Sequence, residues 1–370
     1  MASSIPNLNS LRTGRRGPRL RGGRTGHGEH AYPADSAEEL EGSRDRIVQA
    51  TDGDASSSRL SAVGLGYLDD GFAREFLVPG EQIVKRYPII NRGTYVRTTA
   101  IDHLMKRFLR INPGQRKQII SLGAGSDTRF WRLCCGEGKE ATSSVVYHEL
   151  DFESNVNQKR AKIRRSPPFV EATQKAEKAG SSYHLHAVDL RDLTAKSPPA
   201  IPHMDPTLPT LLLSECCLCY LPPDTATSVL QYFTMHVTGP LALALYEPIR
   251  PFDAFGKTMV SNLASRAIHM HTLKRYSSLE AQRQRLRLAG LVDGQCARDV
   301  FQMYQHEDWV SGAERERVER LEWLDEVEEW KLLASHYCVA WGWRGEIFGE
   351  AWKGLDGSRT KDEDRDDEMG

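Results

Sequence analysis

The feature that most constrains this chain is a series of short apolar runs, each closed by an acid or by a glycine turn. Residues 118–122, 145–150, 183–188, 211–213 and 241–246 form such runs, and helical stretches separate several of them. The first ends in Gly123-Ala124-Gly125, and the others end at Asp151, Asp189, Glu215 and Glu247. Strands alternating with helices imply a mostly parallel sheet with helices on both faces. In open sheets of that kind, ligands bind beyond the carboxyl ends of the strands, where these acids and glycines fall. The chain therefore reads as a doubly wound α/β protein.

The flanks are read in the same way. Residues 59–110 are expected to be mostly helical, since Ile101, Leu104, Met105, Phe108 and Leu109 recur at spacings of three and four before Pro113 and Gly114. Asp224 is a candidate cap for the helix running through Val229 and Phe233. Residues 315–331 read as one charged surface helix with Val318, Leu321, Leu324 and Val327 as its buried seam, and residues 336–343 as a last strand. Residues 1–58 are rich in Gly, Ser, Pro and Arg and poor in apolar side chains, so a disordered basic tail is expected there. A mitochondrial transit peptide would be equally rich in arginine but needs an amphipathic apolar face that this stretch lacks. Deleting residues 1–55 is accordingly expected to leave activity nearly unchanged. Residues 351–370 read as a second, charged tail, leaving 59–350 as the folded domain.

Composition excludes several classes. With 49 basic and 50 acidic side chains the formal net charge is −1, which argues against a protein built to coat nucleic acid. No apolar run reaches the ~20 residues needed to span a bilayer. The seven cysteines are Cys134, Cys135, Cys216, Cys217, Cys219, Cys296 and Cys338. Their odd number and clustering make a disulfide framework a poor reading and a reducing compartment a better one. No metal is expected. Cys216, Cys217 and Cys219 lie in an apolar stretch, and His184 and His186, alternating along one strand, read as a solvated strand face.

The chemistry is carried by Leu122-Gly123-Ala124-Gly125-Ser126-Asp127-Thr128. Gly123 and Gly125 permit a tight turn and close approach of a ligand, although Thr128 stands where a dinucleotide fingerprint has its third glycine. Asp151, ending the next strand, suits the ribose hydroxyls of an adenosine-containing ligand. Asp189 could accept from an adenine amino group while Leu190 packs on the ring, with Asp192 as the alternative acid. Glu215 follows an apolar run, and a charge there needs a partner. Arg92 and Arg97 could bind a carboxylate through two parallel hydrogen bonds or be solvated surface arginines, and spacing alone does not separate those readings. A nicotinamide-dependent dehydrogenase shares the glycine-turn logic, but Thr128 and the lack of an evident acid–base pair count against it.

From about Arg59 to Trp343 short motifs stand in a specific order. They include Gly66-Tyr67, Ile90-Asn91-Arg92-Gly93, the glycine turn with Asp127-Thr128, and Phe130-Trp131-Arg132-Leu133. Next come Glu149-Leu150-Asp151-Phe152, Asp189-Leu190-Arg191-Asp192-Leu193, Leu208-Pro209-Thr210-Leu211-Leu212 and Glu215-Cys216. Tyr246-Glu247, Phe255-Gly256, Ser278-Leu279-Glu280, Leu321-Glu322 and His336-Tyr337-Cys338 follow. In these the chain resembles the leucine carboxyl methyltransferases. The resemblance implies a Rossmann-like class I methyltransferase fold with an N-terminal helical segment and helical insertions. It implies methylation, from S-adenosylmethionine, of the C-terminal leucine carboxylate on the type 2A protein phosphatase catalytic subunit, an ester that regulates phosphatase assembly. A monomer in the cytoplasm or nucleus is expected, binding neither nucleic acid nor membrane.

Carried over residue by residue, the resemblance implies co-substrate contacts at Arg97, Gly123, Asp151, Asp189, Leu190 and Glu215. Arg97 would grip a carboxylate, Asp151 the ribose, and Asp189 with Leu190 the adenine, while Glu215 would lie near the methionine portion. The family commonly has a lysine where Arg59 stands, which keeps the charge but not the geometry. No catalytic base is implied, because the acceptor is already an anion at neutral pH. Tyr220 and Tyr246 are candidates for shaping the acceptor pocket. A related branch modifies a hypermodified guanosine of transfer RNA and carries a long repeat domain. This chain ends soon after the last strand, which weighs against that branch; a small carboxylic acid acceptor stays as a further alternative.

Overall fold

The computed structural model describes residues 37–77, 80, 82–134 and 144–355. The transit-peptide question and most of the charged end of the chain lie outside those residues. Seven strands form one sheet: β1 (Lys117–Leu122), β2 (Val145–Asp151), β3 (Ser182–Ala187), β4 (Thr210–Glu215), β5 (Leu241–Pro248), β6 (Gly294–Asp299) and β7 (Tyr337–Arg344). Their spatial order is β3-β2-β1-β4-β5-β7-β6. The first five run parallel, and β7 runs antiparallel to both β5 and β6. The order reverses between β1 and β4, which opens a crevice beyond their carboxyl ends.

The helices are α1 (Ala37–Gly64), α2 (Pro88–Arg110), α3 (Glu153–Arg165), α4 (Pro167–Lys178), α5 (Pro223–His236), α6 (Ala254–Ala264), α7 (Leu279–Leu288), α8 (Val300–Gln305), α9 (Gly312–Glu319), α10 (Val327–Ser335) and α11 (Glu346–Ala351). Strand alternation divides the core between two faces. On one, Ile119, Leu211 and Leu213 pack against Ile101, Leu104 and Phe108 of α2, with Trp341 of β7. On the other, Ile120, Leu212 and Leu243 meet Val229, Leu230 and Phe233 of α5 and Leu286 of α7. Each such side chain, taken fully out of water, contributes ~1.5–3 kcal/mol. Buried Lys117 locks α2 to β1 by donating from Nζ to the Leu109 carbonyl at 2.8 Å.

Several expectations need correction. Residues 37–58 are helical, not a disordered tail. No side chain from 42 to 59 is buried, so the apolar content that normally signals a helix is missing. Polar contacts hold α1 instead. Asp45 takes Arg191 at 2.5 Å, Gln49 accepts from Ser154 at 2.7 Å, and Asp54 pairs with Arg266. Residues 351–355 also belong to the fold, with Ala351, Trp352 and Leu355 buried and the Trp352 indole donating to the Leu104 carbonyl at 3.0 Å. Residues 59–110 are mostly helical, as expected, through the end of α1, a 3-10 turn at Gly71–Phe76 and α2.

The charged run 315–331 breaks into α9 and α10 rather than forming one helix. Val318 is buried but Val327 is exposed, and the break brings Glu322 to Asn91 at 2.8 Å and Lys85 at 3.0 Å. Asp224 is not a cap. Pro222 holds that position, and the Asp224 carboxylate takes Arg275 at 2.7 Å. His184 and His186 do share a face, but it is only partly solvated, with His186 buried and His184 half-buried. His148 and His203 stack on them, and His148 Nδ1 lies 2.9 Å from His186 Nε2. Strand β6 was not foreseen. It pairs only with β7 and buries just Ala297 and Asp299, so it carries no apolar run.

Candidate active site

A cavity of about 920 Å³ opens at the reversal of the sheet, walled by the strand ends, α1 and α2. Arg97, Gly123, Asp151, Asp189, Leu190 and Glu215 all line it, as do Arg59, Tyr220 and Tyr246. Of the residues named together in the sequence reading, Arg97 and Asp189 face the cavity while Arg92 and Asp192 do not. Arg92 is not on the wall but buried over the rings of Tyr304 and Trp330. Asp192 is exposed and off the cavity. Thr128 is buried, its hydroxyl donating to Asp70 at 2.6 Å.

The glycine turn is held by carboxylates. Gly123 and Gly125 take left-handed backbones, φ 61° and 47°, and a Cβ on Gly123 would stand 2.6 Å from the Cys217 sulfur. Asp151 Oδ2 accepts from the Gly125 N–H at 2.7 Å, while Oδ1 accepts from the Phe152 N–H at 2.7 Å and from Asn155 at 3.1 Å. Burial pushes the Asp151 carboxyl up, and the Gly125 and Phe152 donors work against that. From α1, Asp52 Oδ1 accepts from both the backbone N–H and the hydroxyl of Ser126, each at 2.8 Å.

Arg97 is presented rather than loose. Its Nε donates to Glu215 Oε2 at 2.8 Å, and its guanidinium lies 4.8 Å from the centre of the Tyr246 ring. That leaves the terminal nitrogens as the two-pronged face for an anion. Glu215 in turn is fixed from behind by Arg129, a fully buried arginine. Arg129 also binds Asp102 at 2.7 Å and Asp127 at 2.9 Å. Burial alone would raise the Glu215 carboxyl, but Arg129 and Arg97 outweigh it and hold it below its ordinary range. Charges this deep are tolerable only when paired on several sides.

At the far end, Arg191 bonds both oxygens of Asp189 at 3.0 Å and reaches across to Asp45 of α1. Arg59, also on the wall, pairs with Asp70 at 3.3 Å. Sequence reasoning missed Asp45 and Asp52, because nothing in the composition of α1 marks it as ordered. It also missed Tyr337, which lines the cavity and stacks on Tyr246 with ring centres 5.4 Å apart. Cys216 and Cys219 stand at C-x-x-C spacing, a signal that was present in the sequence and passed over. Among the described residues, no group of His, Cys, Asp or Glu could hold a metal ion, and no helix is long and apolar enough to cross a membrane.

Five parallel strands followed by an antiparallel β7, a glycine turn after β1 and an acid ending β2 together define a Rossmann-like methyltransferase domain. Residues 48–234 match the family model described as leucine carboxyl methyltransferase. Leucine carboxyl methyltransferase 1 of Aspergillus fumigatus is 50% identical over 399 aligned residues, spanning 96% of this chain and 98% of that one. The protein of the same name from Emericella nidulans is 49% identical over 395 residues, 98% of this chain and 100% of its own. The tRNA wybutosine-synthesizing protein 4 of Rattus norvegicus is 34% identical over 83% of this chain, but the match spans 45% of that protein. The chain belongs to the leucine carboxyl methyltransferase family.

Proposed function

We propose that the protein transfers a methyl group from S-adenosylmethionine to the α-carboxylate of a C-terminal leucine, with the catalytic subunit of type 2A protein phosphatase as acceptor. On this reading it acts as a monomer in the cytoplasm or nucleus. The observation that carries the proposal is Arg97, held by Glu215 and Tyr246 in one cavity with Asp151 and a glycine turn that has no room for a side chain.

The residues fit the co-substrate. Gly123 permits close approach of the backbone, and Asp151, already holding the turn, offers its remaining lone-pair capacity to ribose hydroxyls. Asp189 and Leu190 frame the adenine, and the terminal nitrogens of Arg97 take the carboxylate. Glu215 acts through Arg97, since both its oxygens are engaged by arginines. When bound, S-adenosylmethionine supplies an electrophilic methyl on a sulfonium.

The acceptor asks little of the protein in proton transfer. A chain-terminal carboxyl has a pKa of ~3.3–3.7 and is an anion at neutral pH, so no general base is required. Alignment is the need, with reacting atoms about 3–3.5 Å apart. Tyr220, Tyr246 and Tyr337 stand on the wall, Tyr246 directly against Arg97, and burial pushes all three phenols up, so they stay protonated. They offer donors without charge and strip water from the carboxylate.

The test compares phosphatase catalytic subunit, the same protein ending in a C-terminal amide, and transfer RNA, each incubated with S-adenosylmethionine. Mass spectrometry should find one added methyl on the terminal leucine of the first and none on the others. Methylation of transfer RNA instead would move the reading to the wybutosine branch.

A further inference from the structure

Two thiols beside the site have no part in the proposed chemistry. β4 ends at Glu215, and Cys216 then takes a left-handed backbone, φ 48°, with its N–H on the Tyr246 carbonyl at 2.8 Å. That conformation is uncommon for any residue but glycine and clusters at functional positions. The chain next coils through a short 3-10 turn at Leu218–Tyr220, which sets Cys219 at C-x-x-C spacing from Cys216 and within electrostatic reach of it. Cys216 lines the cavity, and Cys219, 1% exposed, lies behind the wall.

The pair is also electrostatically unequal. The Cys219 thiol and the nearby Arg97 guanidinium draw the Cys216 thiol below its ordinary range, against the opposing effect of burial. Burial pushes the thiols of Cys217, Cys219 and Cys338 up. One thiol is thus inclined to ionise and open to small molecules, and its neighbour is in reach, whereas Cys217, on the same wall, is held protonated by burial. Thiolate character and access are what make a cysteine reactive.

We propose that Cys216 and Cys219 form a peroxide-sensitive dithiol whose disulfide weakens binding in the cavity. The effect on binding rests on the reading of that cavity as the S-adenosylmethionine site. The Cys216 thiolate attacks one oxygen of hydrogen peroxide; the S–O bond forms, the O–O bond breaks, and hydroxide leaves to become water. The Cys219 sulfur then attacks the sulfenic sulfur; the S–S bond forms, the S–O bond breaks, and a second water leaves with the Cys219 proton. Two thiols and one peroxide give one disulfide and two waters, the sulfurs losing two electrons and the peroxide gaining them. Drawing Cys216 to a bond length of about 2.05 Å moves the end of β4. Glu215 is the preceding residue, and it aims Arg97.

The experiment treats the full-length reduced protein with hydrogen peroxide, maps its cysteines by peptide mass spectrometry, and titrates S-adenosylhomocysteine calorimetrically before and after. A Cys216–Cys219 disulfide should form, and affinity should fall roughly tenfold or more, as when charged hydrogen bonds are misaligned, and return with dithiothreitol. Cys219→Ala should bind normally when reduced, form no disulfide, and accumulate a dimedone-reactive Cys216. Oxidation of Cys296 ahead of Cys216, or a disulfide that leaves affinity unchanged, would overturn the proposal. The mapping needs only the wild-type protein, so an unstable variant does not blunt it. Failure of the reduced wild type to bind S-adenosylhomocysteine would sink the co-substrate reading, while the mapping still judges the dithiol.

Discussion

Replacing Asp151 with alanine separates the site from the fold. In the free protein Asp151 makes three hydrogen bonds, two of them to backbone N–H groups at 2.7 Å, so the substitution loosens the glycine turn as well as removing the ribose acceptor. A hydrogen bond to a charged group is worth ~1.5–3 kcal/mol. Losing one such bond to the ligand therefore raises Kd by roughly 10- to 150-fold, and the loosened turn adds to that. Asp151 itself sits at a strand end, and the apolar contacts of β2 are untouched, so the fold should survive. Calorimetric titration with S-adenosylhomocysteine gives Kd, and thermal unfolding gives stability. A variant that melts like the wild type and binds tens of times more weakly fits the account. Unchanged Kd in a folded variant would refute the ribose assignment.

Three further outcomes are expected. Deleting residues 1–55 should cost at least about tenfold in S-adenosylhomocysteine affinity, because it removes Asp45 and Asp52 from Arg191 and Ser126. Full affinity in that truncation would restore the view of the segment as a passive tail. Glu215→Gln keeps the shape but not the charge that aims Arg97, and should weaken binding roughly tenfold with a smaller effect on melting; equal binding would place the orientation of Arg97 elsewhere. Burial and then neighbouring imidazoles push His148 and His186 down to about 3 and about 4. The unfolded chain therefore binds more protons below its histidine pKa of about 6.5, and stability falls as the pH drops through that window, by on the order of 3 kcal/mol for one such ring. His148→Phe should flatten the fall in melting temperature between about pH 7 and 5, and an unaltered slope would assign the acid sensitivity to other groups.

The central sheet was legible because β1, β2, β4 and β5 are buried on both faces and so read as continuous apolar runs. The position of the site was legible for the same reason, since acids and glycines at the ends of such runs converge wherever the sheet order reverses. Helix α1 was not, because its partners are charges on Arg191 and Arg266, far away in sequence, and ion pairs leave no periodicity behind. Strand β6 was hidden by its place at the edge. Glu215 was correctly read as needing a partner, yet nothing in the sequence said that Arg129 would be that partner or that Glu215 would act through Arg97. The disposition of Cys216 and Cys219 depended on a backbone turn that no spacing rule alone conveys.

The central claim is that methyl goes to a terminal leucine carboxylate. The most direct measurement is transfer of radiolabelled methyl from S-adenosylmethionine to purified phosphatase catalytic subunit, alongside a subunit lacking its last leucine. The account predicts label only on the intact chain, released as methanol by mild base, as an ester would be. Label that resists base, or that appears equally on the shortened chain, would contradict it.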